Sequence, residues 1–147
     1  MDNKLQKSEN FILYTAPNGD VRLEVFLQDE TLWLTQKMMA ELFEVDARTI
    51  NEHLKNIFKT GELDELLTIR KIRIVQKEGK RSVEREVSFY SLDAIIAVGY
   101  RVNSKKATQF RIWATEVLKE YIVKGFVLDD VLKQRKNSFF PVYSFSY

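Results

Sequence analysis

The chain predicts an α+β domain with small antiparallel β elements, a winged-helix-like helix-turn-helix core and two C-terminal helices. Three observations predict it. Residues 11–34 alternate apolar and polar side chains at a period of two, interrupted by turn residues. Residues 33–58, WLTQKMMAELFEVDARTINEHLKNIF, switch to helical spacing in two short runs joined by about three residues. Residues 69–90 return to a period of two around a glycine-containing turn, and two further helical runs follow.

The first region predicts a small meander. FILYT and VRLEVFL flank APNGD, where Pro17 and Gly19 are turn residues. Val21, Leu23, Val25 and Leu27 share one face of the second strand, with Arg22 and Glu24 on the other. QDE then turns into a short TLWL strand. Thr35 is an N-cap for the next helix, because its hydroxyl can accept a free N–H of the first turn. Met38, Met39, Leu42 and Phe43 form that helix's apolar stripe, and the helix should stop near Glu44. Asp46 caps a second helix whose inner stripe is Ile50, Leu54, Ile57 and Phe58, with Gly61 as the stop.

Residues 69–90 predict a β-hairpin. Ile72 and Ile74 alternate with basic residues; Val83, Val87 and Phe89 alternate with Glu84, Glu86 and Ser88. EGKR makes the turn, with Gly79 at a positive φ. A helix then begins at Ser91, and a longer one runs from near Ser104 to Lys124–Gly125 over the stripe Ala107, Phe110, Ala114, Val117, Leu118 and Tyr121. Gly99 allows a close helix crossing, and Phe110 and Trp113 belong to the core. One domain over residues 9–130 and an irregular tail over 131–147 account for the chain.

Totals narrow the function. A chain of 147 residues is long enough for one domain with its own core. Absent cysteine excludes disulfides and thiolate metal sites, and His53, the sole histidine, has no partner for a ligand set, so no metal and no cofactor are expected. His53 reads as a packing or phosphate-contact residue. The start of the chain, MDNKLQKSEN, is no signal peptide, and no apolar run reaches membrane length, so the expected location is cytoplasmic, with no membrane partner. Net charge is only +2, but it is unevenly spread. Residues 69–111 carry 11 basic and four acidic residues, or +7; the other 12 basic and 17 acidic residues give −5. One basic surface on a bipolar molecule follows, whether it binds a polyanion or stays solvated.

The helix pair fits a helix-turn-helix moderately. With Gln36 as the first position, Ala40 is the small fifth residue that lets the helices approach, and Met39, Phe43, Val45 and Ile50 are apolar where required. Glu44 departs from the usual glycine and His53 from an apolar residue. The outward residues of the second helix are Arg48, Thr49, Asn51, Glu52 and Lys55; arginine suits guanine and asparagine suits adenine in the major groove. Thr35 and Gln36 would meet a phosphate at the first helix's N-terminus. Residues 36–57 sum to −1, so attraction to DNA has to come from the hairpin: Lys77, Lys80 and Arg81 at its tip. Lys105 and Lys106 sit in the first turn of the last helix, where the helix dipole disfavours cations, and read as a second phosphate contact. The same residues also suit a structural or protein-binding helix pair.

LWLTQKMMAELFEVDARTINEHLKNIFKTGEL and YSLDAIIAVGYRVNSKKATQFRIWATEVLKEYIVKG, at their spacing here, closely resemble the RhuM family of bacterial proteins over about residues 9–130. FRIWATEVLKEYIVKG is also distantly similar to the end of the Bro-N domain of viral and phage proteins. The first resemblance implies a virulence-associated, DNA-binding protein; the second implies the same order of small strands, helix pair, hairpin and helices. Neither implies catalytic residues. RhuM members are typically longer, with a helical and sometimes Fic-like C-terminal part. NSFFPVYSFSY does not resemble that continuation, so a truncated member is expected, and without an HPFxxGNGR-like motif no nucleotide transfer is expected.

The combined expectation is a non-enzymatic protein that binds double-stranded DNA and regulates transcription. No small-molecule substrate is inferred. A homodimer is compatible, since operator readers commonly work as dimers. The alternative is a protein–protein interaction module without nucleic-acid binding. An enzyme is disfavoured by the lone histidine and the absence of any Ser/His/Asp or phosphate-loop pattern.

Overall fold

The computed structural model describes residues 11–127 and 142–144. It is an α+β fold in which one sheet of order β1-β2-β3-β5-β4-β6 carries the helices. The strands are β1 (Phe11–Thr15), β2 (Arg22–Gln28), β3 (Thr31–Leu34), β4 (Ile69–Glu78), β5 (Arg81–Ser91) and β6 (Val142–Ser144). The first five pair antiparallel, and β6 lies parallel to β4 through Arg73↔Val142 to Val75↔Ser144. The helices are α1 (Gln36–Phe43), α2 (Ala47–Lys59), α3 (Glu65–Thr68), α4 (Leu92–Val102) and α5 (Ser104–Val127).

Most predicted elements stand where the periodicities put them. Three differ. The four-residue α3 was not predicted; Asp64 caps it, accepting from Leu66 N–H at 3.0 Å. Helix α5 continues to Val127, past the predicted stop at Lys124–Gly125. The short strand β6 falls in the expected irregular tail, where pairing with the outer edge of β4 gives its backbone hydrogen-bond partners; the rest of residues 131–147 lies outside the described residues.

The main core lies between one sheet face and the helices. Val25, Leu32 and Leu34 from the strands meet Met39, Leu42, Ile50, Ile57, Ile95, Val98 and Phe110, all fully buried. Each such side chain contributes about 1.5–3 kcal/mol. Phe110 and Trp113 belong to this core, as expected: both rings pack against Tyr14, with centroids 5.0 and 4.9 Å away. A smaller cluster of Phe26, Trp33, Ile72, Ile74 and Phe89 occupies the opposite sheet face.

Register makes the β4–β5 hairpin a projection. Leu34, the last residue of β3, pairs with Tyr90 near the end of β5. The hairpin pairing then runs on to Glu78↔Arg81. Nine residues separate Tyr90 from Arg81, so the tip extends about 30 Å along the strand direction beyond that pairing. The tip is a two-residue turn with Gly79 at φ 66°, the positive φ that a type II′ turn requires of its first central residue.

Candidate nucleic-acid interface

The helix pair closes through a left-handed residue. Thr35 Oγ1 accepts from Met38 N–H at 3.1 Å and starts α1. Glu44 ends it at φ 60°, ψ 46°, and Val45 N–H donates to Ala40 O at 3.1 Å. The position where the motif prefers glycine is therefore the one that adopts the glycine-favouring conformation. Glu44 occupies it at a modest strain cost. Asp46 stands at the start of α2 in extended backbone, but its side chain makes no capping hydrogen bond, unlike its expected role. Gly61 follows α2 at φ 80° with the expected reversal, Glu62 N–H donating to Ile57 O at 3.1 Å.

Helix α2 buries Ile50, Leu54 and Ile57 and leaves Arg48, Glu52 and Lys55 exposed; Thr49, Asn51 and His53 are half-buried. Gln36, at the start of α1, is already engaged. Its Nε2 donates to Asn51 Oδ1 at 3.2 Å and to Tyr90 Oη at 2.9 Å. Thr35, Gln36 and Lys37 line an open cavity of about 380 Å³ with Val87, Ser88 and Tyr90 of β5. The start of α1, the outer side of α2 and the inner half of the hairpin thus form one region. The sequence reading did not include Tyr90; its only signal there was the period-two alternation.

The basic residues divide into paired and unpaired sets. Arg85 Nη2 meets Glu78 Oε2 at 2.5 Å, Arg73 meets Glu84 at 3.6 Å, and Arg101 meets Glu62 at 2.7 Å. Arg70 pairs with Asp29 in the β2–β3 turn and lies 4.8 Å over the Trp33 ring. Among the described residues, Lys77, Lys80 and Arg81 at the hairpin tip are exposed with no ion pair, as are Arg48, Lys55 and Lys105.

Lys106 corrects the sequence reading. The expected phosphate contact is 8% exposed and holds both carboxylate oxygens of Asp20 at 2.7 Å. The acid that the dipole of α5 favours comes from the β1–β2 turn rather than from the helix itself. Hydrogen bonding from Lys106 holds the Asp20 carboxyl below the usual carboxylate range, against the opposing effect of burial. Asn103 Nδ2 donates to Phe43 O at 3.4 Å. The segment VGYRVNSKK therefore fastens the turn of the helix pair to the sheet.

That bond carries a pH signature. A lowered folded pKa stabilises the protein above the unfolded value of about 3.9 and is lost as pH falls below it. Asp20→Asn should melt below the native chain at pH 7, and the gap should narrow as pH drops under about 4. A melting-temperature gap that stays constant from pH 7 to pH 3 would show that the pair contributes nothing through charge.

Among the described residues, no group of three or more His, Asp or Glu side chains could hold a metal ion, and no helix is long and apolar enough to cross a membrane. Residues 67–144, just over half of the 147-residue chain, match the family model described as "Virulence protein RhuM family". No curated protein and no solved structure matches the chain.

Proposed function

Since the chain belongs to the RhuM family of virulence proteins, we propose that it is a DNA-binding member acting as a transcriptional regulator, without catalysis. In this reading α1 and α2 serve as a helix-turn-helix and the β4–β5 hairpin as its wing. The matched residues 67–144 include the hairpin, α4 and α5, whereas the helix pair precedes them. The reading role of α2 therefore rests on geometry.

The observation that carries it is the joining of α2 to the hairpin. The Gln36 side chain links Asn51 to Tyr90, so an outward helix face with Arg48, Asn51 and Lys55 is held beside a basic projection. A helix of this length fits a major groove, and free cations at the tip supply the attraction that a pair of net charge −1 lacks. Lys105 remains available for a phosphate; Lys106 does not, since Asp20 holds it. A homodimer would match two half-sites.

One observation favours a protein-interaction role instead. Leu66 and Leu67 on α3 are 89% and 79% exposed, an adjacent pair of large apolar side chains on a capped helix. Fluorescence anisotropy with a random-sequence duplex at several salt concentrations separates the two. DNA binding predicts micromolar affinity, with log K falling by roughly 0.9 per phosphate contact against log salt. No binding at low salt would sink it and put the leucine pair first.

A further inference from the structure

The face of the sheet turned away from the helices is buried, although no described helix covers it. Directly paired strand residues share a face, so Ile72 with Val87, Ile74 with Arg85 and Arg70 with Phe89 lie on one side of the hairpin. Phe26, Ile74 and Phe89 there are 0% exposed and Ile72 is 1% exposed. The described members of this cluster are all strand residues, with Phe11 and Val87 packed against it. Side chains stand perpendicular to a sheet, so one layer cannot cover its own face. Near the hairpin base the Arg70 guanidinium lies over Trp33. Ile74 stands further along the projecting hairpin, opposite the exposed Arg85. The described element beside it is β6, whose Tyr143 is in register with Ile74.

We propose that this chain's own C-terminal segment, FFPVYSFSY over residues 139–147, is the cover of that face and so a staple on the projecting hairpin. The register puts Tyr143 on the face of Ile74. A strand period of two adds Phe145 and Tyr147 to the same face and leaves Ser144 and Ser146 on the other. Aromatic residues thus fall on the side that needs an apolar cover. The other stretches near the ends of the chain do not suit it. Residues 1–10, MDNKLQKSEN, have Met1 and Leu5 as their apolar side chains, and residues 128–138, LDDVLKQRKNS, are mostly polar or charged. The family match also runs to residue 144, through β6. Pairing with β6 closes the β4 edge at Arg73–Val75, where unpaired N–H and C=O groups would otherwise invite another chain. The segment therefore shields an apolar face and an open edge at once. The inference is independent of DNA binding.

The test uses the full chain, with amide hydrogen exchange read by mass spectrometry and anilinonaphthalene sulfonate as a probe of exposed apolar surface. The triple variant Tyr143→Ser, Phe145→Ser and Tyr147→Ser should exchange at least about tenfold faster over residues 72–76 and bind more dye, while α1 and α4 keep their protection. Ser144→Ala with Ser146→Ala, on the opposite face, should behave as the native chain does. A milder pair guards against loss of the fold in the triple variant. Ile74→Val and Tyr143→Ala should be coupled, the double variant losing less in melting temperature than the two singles together. Native exchange and dye binding in the triple variant, or strict additivity in the cycle, would overturn the inference. Exposure of residues 72–76 by Leu5→Ser, with the triple variant unaffected, would give the face to the N-terminal segment instead. Protection that falls on dilution of the native chain would assign the cover to a second copy.

Discussion

Gly99→Ala is expected to melt below the native chain by roughly 5 °C, although alanine is the better helix former by about 1 kcal/mol. Gly99 is an interior residue of α4, where the usual effect of the change is stabilising. Here a Cβ would stand 2.6 Å from Ala107 Cβ of α5 and 2.6 Å from Phe43 Cζ at the end of α1. Both neighbours are essentially fully buried, so neither has free space to enter. Overpacking of this kind costs about 1–3 kcal/mol, and three contacts below 3.0 Å, with two buried side chains, put it at the upper end, which exceeds the helix gain. The loss should extend to function. Phe43 immediately precedes the left-handed Glu44, so pushing its ring moves the turn that sets the angle between α1 and α2. Thermal melts of Gly99→Ala, Phe43→Leu and the double variant form a cycle. Removing the ring atoms should make the double variant more stable than the sum of the two singles requires. An unchanged or raised melting temperature for Gly99→Ala would mean that the α4–α5 crossing yields freely.

Reversing the three charges at the hairpin tip, with Lys77→Glu, Lys80→Glu and Arg81→Glu, is expected to weaken binding to a random duplex by at least about a hundredfold at low salt. The slope of log K against log salt should become shallower by roughly 0.9 for each phosphate contact removed. Stability should hold, since the three side chains are exposed and have no ion pair among the described residues. Lys106→Met is the informative contrast. It should lower the melting temperature by leaving Asp20 without its partner, yet leave the salt slope unchanged, because Lys106 is turned inward. If the tip reversal leaves the salt dependence intact, the hairpin is no wing and DNA attraction through it is ruled out.

The contrast between those lysines marks where sequence reasoning reached its limit. Lys105 and Lys106 are neighbours with the same chemistry, and the dipole of α5 disfavours both equally. One is exposed; the other is buried against a carboxylate 86 residues earlier in the chain. Nothing local distinguishes them, because the difference depends on which turn reaches the start of α5. Glu44 shows the reverse case. Its mismatch with the motif was visible in the sequence, and the backbone there takes the left-handed conformation that the motif implies.

Asn51 was legible as an outward polar residue from helical spacing, and Gln36 as a polar residue at the start of the first helix. Their hydrogen bond was not, since it requires the two helices to meet at that point, and Tyr90 was read only as a strand position. Likewise α3 is too short for its periodicity to register, and its two leucines would be expected inside on hydropathy, yet they face water.

What the sequence by itself determined is the order, type and approximate bounds of most elements, the class of the fold and its inner faces. Those follow from periods of two and 3.6 residues and from turn and cap residues, all of which act over a few positions. What only the tertiary structure decided is which charges are spent within the molecule, which polar side chains are joined, and how far the hairpin projects. Each depends on strand register and helix crossing, and so on contacts between residues tens of positions apart, whose free energy no local pattern records.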